Sequence, residues 1–304
     1  MNDAIVAKQI TKRYEHHVAL NSVSLTIPEN CIYGLLGPNG AGKTTFTRIL
    51  TQIIQADEGT ISVYGNPLHG DHMHKMGYLP EERGLFKKLK VGEQLVYLAR
   101  LKGLSKTDAI SKSKYWLDKL GAANWWSKSV EDLSKGMAQK IQFINTVLHD
   151  PQFIIFDEPF SGFDPVNVEM ISQEILALKE KGVSMMISTH RMETVENLCD
   201  HVAFIHKAQK ILEGNKKSVK ENFRTHTFLV EHRKNLTISL DENFEMIKQT
   251  QGEDNIWSTQ IRILKNGESN ALIRELMKEV EIIRFQEVIP SMNDIFIQLV
   301  KEKG

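Results

Sequence analysis

From Gly37 to Thr44 the chain reads Gly-Pro-Asn-Gly-Ala-Gly-Lys-Thr, which fills every fixed position of the pattern G-x-x-x-x-G-K-[ST]. The apolar run Cys31 to Leu36 before it reads as a short buried strand, and Thr45 to Leu50 after it opens a helical pattern. Few folds accommodate a glycine-rich turn between those elements. Glycines let the backbone turn until successive N–H groups point inward at phosphate oxygens, and the following helix adds its positive end. Gly37, Pro38, Asn39, Gly40, Ala41 and Gly42 are expected to cradle a nucleotide. Lys43 adds a point charge at the β and γ phosphates, Thr44 offers a hydroxyl to Mg²⁺, and Thr45 stands beside it in the nucleotide site.

Such a loop works with an acid at the end of another strand. Phe153-Ile154-Ile155-Phe156-Asp157 supplies one, where α/β sheets bind their ligands. Glu158 follows at once. Two adjacent acids divide the labour: Asp157 is expected to hold the metal, and Glu158 to orient or deprotonate an attacking water. Lys43 and Asp157 are further apart than one strand–helix–strand crossover needs, so extra structure is inserted. The helical patterns Val91–Leu104, Thr107–Leu120 and Met137–Leu148 are its candidates. Val183–Ser188 reads as another buried strand and Val23–Ile27 as an alternating edge strand.

The 304 residues suggest about two domains. Lys plus Arg and Asp plus Glu are both 38, and a net charge of +0 argues against nucleic acid as the main partner. No run approaches the ~18 apolar residues of a membrane helix, and the N-terminus lacks the basic and long apolar regions of a secretory signal. Only Cys31 and Cys199 are present, which fits a reducing compartment, so a soluble cytoplasmic chain is expected. The texture changes near Glu213–Lys217. Thr227–Glu231, Leu236–Leu240, Ile256–Leu264 and Ile282–Ile289 then read as strands and Ser269–Val280 as a helix. Ser291 is placed to cap a last helix, with Asp294 three residues on. The expected division is 1–215 and 216–304.

With these motifs in order, residues 1–215 resemble the ATP-binding subunit of an ABC transporter. Leu133-Ser134-Lys135-Gly136-Met137 resembles the family signature, Ser161-Gly162-Phe163-Asp164 the D-loop, and Ser188-Thr189-His190 the switch-histidine segment. Tyr14 stands where the family places a ring that stacks on adenine, and Gly77-Tyr78-Leu79-Pro80-Glu81 occupies the Q-loop position. The resemblance implies an α/β P-loop NTPase core with an inserted helical subdomain at about 86–148, followed by a small α+β C-terminal domain. It implies ATP and Mg²⁺ as cofactors. It also implies a homodimer or heterodimer of nucleotide domains packed head to tail, and a separate transmembrane permease holding the chain on the inner face of the cell membrane. Ser134 and Gly136 would then meet the γ phosphate in trans, His190 would hydrogen-bond it, and Asp164 would connect the two sites. Glu81 stands where the family has glutamine; as a carboxylate it can still ligate Mg²⁺ but adds charge and cannot donate as an amide does. Lys135 and Met137 depart from the signature, while Ser134 and Gly136 remain. The segment Pro80 to Leu85 resembles efflux-type ATPases related to sodium-export systems, which favours export.

Asn215-Lys216-Lys217-Ser218 lacks the acid of a guanine-specific motif, which disfavours a GTPase. A non-transport ABC ATPase acting as a soluble mechanical or regulatory module is the alternative. Its relatives carry long coiled coils or two cassettes, and neither feature is present. His69, His72 and His74 read as loop histidines, Trp125-Trp126 as packing, and Lys87-Lys88-Leu89-Lys90 as a basic run beside the Q-loop. The C-terminal region shows no catalytic constellation, and a protein-contact role is expected there.

Overall fold

A computed structural model of the chain describes residues 2–82, 84–237, 242–264 and 267–303. It divides into two compact units, Met1–Lys216 and Lys217–Gly304. In the first unit the order is β1 (Asp3–Tyr14), β2 (His17–Pro28), β3 (Ile32–Leu36), α1 (Lys43–Leu50), β4 (Glu58–Val63), β5 (Asn66–Pro67), β6 (Met76–Leu79), α2 (Val91–Leu101), α3 (Lys106–Lys119), α4 (Lys135–Val147), β7 (Phe153–Asp157), α5 (Pro165–Glu180), β8 (Ser184–Thr189), α6 (Met192–Leu198), β9 (His201–His206) and β10 (Gln209–Asn215).

One sheet has the order β10-β9-β3-β8-β7-β6. It is parallel except for the antiparallel edge pair β9–β10. Every residue of β3, β7 and β8 is buried; Tyr33, Leu35, Ile155 and Met186 share a core with α1 and the β1–β2 hairpin, so the strands have no solvent side to pattern. A second, antiparallel sheet has the order β2-β1-β4-β5. Its long hairpin extends well beyond the expected Val23–Ile27 strand. Bulges at Gln9 and Ser22, both with positive φ, interrupt the alternation that would have marked its length. Helices α2, α3 and α4 lie between β6 and β7 in the chain, where inserted structure was expected. Ser105, Ser134 and Asp164 accept from backbone N–H groups at the starts of α3, α4 and α5, so each helix begins where its capping side chain stands.

The Trp pair packs. A Cβ on Gly92 would lie 2.5 Å from the Trp126 ring, and Lys114 and Lys140 stand over Trp126 and Trp125. His69 and His72 cap the short turn Gly70–His74; the His69 N–H donates to His72 Nδ1 at 3.0 Å.

The second unit continues from α7 (Lys216–Asn222), which spans the division, into β11 (Thr227–Arg233), β12 (Phe244–Gln251), β13 (Ile256–Ile263), α8 (Ser269–Glu279), β14 (Glu281–Glu287) and α9 (Met292–Lys303). Its antiparallel sheet has the order β12-β13-β11-β14 around a core of Val230, Phe244, Ile261, Leu272 and Leu276. Of the expected strand at Leu236–Leu240, only Leu236 and Thr237 are described, and neither is in a strand. Leu236 is buried outside any strand, and residues 238–240 lie outside the described residues. The strand in this part of the chain is β12, an edge strand with mostly exposed polar residues and no apolar period to announce it. Ser291 and Asp294 bond reciprocally ahead of α9, as a capping box does.

Candidate nucleotide site

The phosphate loop joins the carboxyl end of β3 to α1. A Cβ on Gly42 would lie 2.4 Å from the Ala19 carbonyl oxygen, and one on Gly37 would lie 2.1 Å from that of Ile205, so only glycine fits between β2 and β9. No side chain caps α1, which leaves its first N–H groups free for an anion. Lys43 is 7% exposed, and its ammonium donates to the Gly37 and Pro38 carbonyls at 2.7 and 3.1 Å. Burial holds its pKa below the ordinary value, while Glu158, Asp157 and Glu81 act in the opposite direction.

Three carboxylates therefore gather around one ammonium. Asp157 ends β7 at 1% exposure, and its Oδ2 is buried with no hydrogen-bond partner. Burial pushes its carboxyl pKa up, and Glu81 and Glu158 push the same way, while the Ser188 hydroxyl and Lys43 act in the opposite direction. An orphaned, dehydrated carboxylate oxygen beside the phosphate loop suits a hard cation. Among the described residues no cluster of three or more His, Cys, Asp or Glu is set to hold a metal. A Mg²⁺ held by Asp157 and Thr44 would take its remaining ligands from phosphate and water, as this ion commonly does. Glu81 is exposed at the end of β6.

Glu158 is the most constrained member. Its φ is +49°, a strained setting for a non-glycine residue. Its Oε2 accepts from the Thr189 hydroxyl at 3.0 Å, and its Oε1 accepts from the His190 N–H at 2.9 Å. His190 Nδ1 stands 2.6 Å from the same Oε1, while the imidazole remains half-exposed. This contact differs from the expected one: Nδ1 meets the carboxylate, and the exposed part of the ring is what remains for a phosphate. The carboxylate is thus fixed by three donors at the end of β8.

In the sequence Thr189 stands only inside the segment Ser188-Thr189-His190, with no role of its own. Its signal was a hydroxyl at a strand end beside the histidine. Gln139 was missed outright; its Nε2 donates to the Pro159 carbonyl at 3.1 Å and ties α4 to the loop after β7. No local pattern marks it.

Ser134, Gly136 and Asp164 make local contacts. Ser134 Oγ accepts from Met137 N at 3.3 Å, and Gly136 lies near the Gly162 carbonyl. Asp164 accepts from Asn167 N at 2.9 Å, which with other local bonds holds its carboxyl below the usual range. Among the described residues, no hydrogen bond or ion pair joins these three to Lys43, Asp157 or Glu158. Tyr14 is 42% exposed at the end of β1 and stacks on His17.

Comparison with known proteins agrees with this geometry. The family described as ABC transporter matches residues 20–161, and the one described as ATP-binding protein DrrA1-3-like, C-terminal domain, matches residues 214–300. The chain is 40% identical over 295 residues to the uncharacterized ABC transporter ATP-binding protein YhaQ of Bacillus subtilis, covering 96% of each. It is 27% identical to the bacitracin transport ATP-binding protein BcrA of Bacillus licheniformis, across 99% of this chain and 98% of that one. Among solved structures, the ATP binding subunit of an ABC transporter superposes with a TM-score of 0.68 at 27% identity, covering 72% of this chain and 93% of that one. This chain belongs to the ATP-binding subunits of ABC transporters, a family of ATPases.

Proposed function

We propose that the chain hydrolyses ATP with Glu158 as the base, works as a head-to-tail pair, and drives export through a separate membrane permease on the inner face of the cell membrane. The observation that carries this reading is the Glu158 carboxylate, fixed by Thr189 and His190 beside buried Lys43 and Asp157. Lys43 releases its two carbonyls to hold the phosphates, and the uncapped start of α1 adds N–H donors. Asp157 and Thr44 would hold Mg²⁺, which when bound would supply neutralisation of phosphate charge. Glu158 takes the proton of the attacking water, and the free side of His190 steadies the γ phosphate.

The pairing is supported by what the single chain does not bring together. Among the described residues no hydrogen bond or ion pair joins Ser134 or Gly136, at the start of α4, to Lys43, Asp157 or Glu158, which leaves that helix start for a phosphate of a second copy. Asp164 would link the two sites. A permease is supported by two facts. Among the described residues no helix is long and apolar enough to cross a membrane. A cavity of about 430 Å³ also lies beside β6, lined in part by Pro80, Leu98, Gln142, Asn145 and His149. Gln142 Oε1, Asn145 Oδ1 and His149 Nδ1 are buried there without partners, which suits a donor-bearing segment of a membrane subunit. Burial pushes the His149 imidazole down to about 4, so at neutral pH Nδ1 is an acceptor. Export is favoured by the Pro80–Leu85 resemblance and by relatives named for bacitracin and lantibiotic transport.

Sedimentation of Glu158→Gln with ATP and Mg²⁺ tests the pairing. The expected result is a doubled mass that Ser134→Arg abolishes. A monomer that binds ATP under every condition would contradict head-to-tail assembly.

A further inference from the structure

We propose that His17 is a positioning residue for the adenine base, forming with Tyr14 a two-ring platform at the tip of the first hairpin. This rests on the reading of the phosphate loop as the ATP site and of Tyr14 as the base contact. Tyr14 and His17 are register partners that close the β1–β2 turn. Their rings stack with centroids 5.3 Å apart and planes inclined by 22°. The same strand then reaches the phosphate loop: a Cβ on Gly42 would lie 2.4 Å from the Ala19 oxygen and 2.9 Å from Leu20 Cδ2. His17 precedes Ala19 by two residues, which places it ~7 Å along the strand from that contact. The hairpin tip therefore stands beside the loop that would hold the phosphates.

An isolated tyrosine at a hairpin tip must be ordered when a base stacks on it, and that ordering weakens binding. Here the order already exists. His17 covers one side of the Tyr14 ring. The Lys12 ammonium stands 5.8 Å from the ring centroid and is held by Asp57 at 2.7 Å. Asp57 also accepts from the Arg13 N–H, so the strand that carries Tyr14 is pinned by the same carboxylate. Among the described residues no hydrogen bond or ion pair joins His17 to a group assigned to phosphate or metal, so its contribution belongs to affinity for the base and not to the chemical step.

The test compares wild type, His17→Ala, His17→Phe and Tyr14→Ala, with ATP and with tripolyphosphate, which has no base. His17→Ala is expected to raise the KM for ATP by about three- to tenfold with kcat unchanged, the range an aromatic pair supplies. Tripolyphosphate is expected to bind His17→Ala as it binds wild type, and His17→Phe is expected to restore ATP affinity. Unchanged ATP affinity in His17→Ala, beside a weakened Tyr14→Ala, would overturn the role of His17 while leaving Tyr14 in place. An equal loss for ATP and tripolyphosphate in His17→Ala would also overturn it, as a general disturbance of the loop. Tyr14→Ala binding ATP like wild type would remove the base contact itself, and the platform with it.

Discussion

Two buried polar side chains, one in each unit, show how the units differ. Asp157 in the first unit is almost fully buried, yet one of its carboxylate oxygens has no partner. His232 in the second is fully buried and has both ring nitrogens occupied, Nδ1 by the Lys234 carbonyl at 2.9 Å and Nε2 by the Thr259 hydroxyl at 2.8 Å. A buried polar group left open costs stability and is retained where a ligand completes it; one that is closed serves the fold. The same contrast holds for charge. Lys43 rests on two carbonyls with three carboxylates facing it, whereas Arg224 in the second unit is matched by Glu287 and Glu221. The first unit holds unsatisfied chemistry at the carboxyl ends of parallel strands, and the second settles these polar groups internally.

Substitutions break this contrast at predictable places. The largest effect is expected from Lys43→Ala, which removes the ammonium on which Glu158, Asp157 and Glu81 act. Steady-state phosphate release should fall by ~10²–10³-fold, the cost of losing a principal electrostatic donor. In the second unit, His232→Leu leaves the Thr259 hydroxyl and the Lys234 carbonyl without a partner. A loss of about 2 kcal/mol is expected there. Hydrogen exchange should show it as faster exchange in β11 and β13, with β7 and β8 unchanged and ATP hydrolysis within about twofold of wild type.

The smallest effect has the opposite sign. Burial raises the Asp157 pKa above 3.8, so the folded state binds its proton more tightly than the unfolded state does. Folding stability at this residue is therefore lost as pH rises through that raised value. Asp157→Asn should melt a few degrees higher than wild type at neutral pH without nucleotide, on the order of ~2–4 °C. The gain should shrink as pH falls toward 3.8, the ordinary value for the group. The same variant should bind Mg²⁺–ATP more weakly, and a calorimetric titration at pH 7 would show both effects on one sample.

The parts of the site legible in the sequence are those whose geometry is local. The phosphate loop between β3 and α1, the acids at the end of β7 and the serine that caps α4 each need only neighbouring residues, so spacing alone places them. What required the structure depends on elements far apart in the chain. Thr189 reaches Glu158 across two parallel strands. Gln139 reaches Pro159 from a different element, and Tyr14 meets His17 only through hairpin register. The fold follows the same rule. Buried strands such as Phe153–Asp157 announce themselves by continuous apolar residues. β12 carries exposed polar residues on an edge, and bulges interrupt the hairpin strands, so neither shows a clean period.

The most direct measurement is the single-turnover rate of ATP hydrolysis by Glu158→Gln, taken together with its affinity for ATP. The amide keeps the shape and can still be held by Thr189 and His190, but it cannot accept a proton from water. The expected result is a rate at least ~100-fold below wild type with affinity little changed, within the range that general bases supply. Hydrolysis at the wild-type rate would contradict Glu158 as the base and leave its strained, triply held carboxylate with a structural role only.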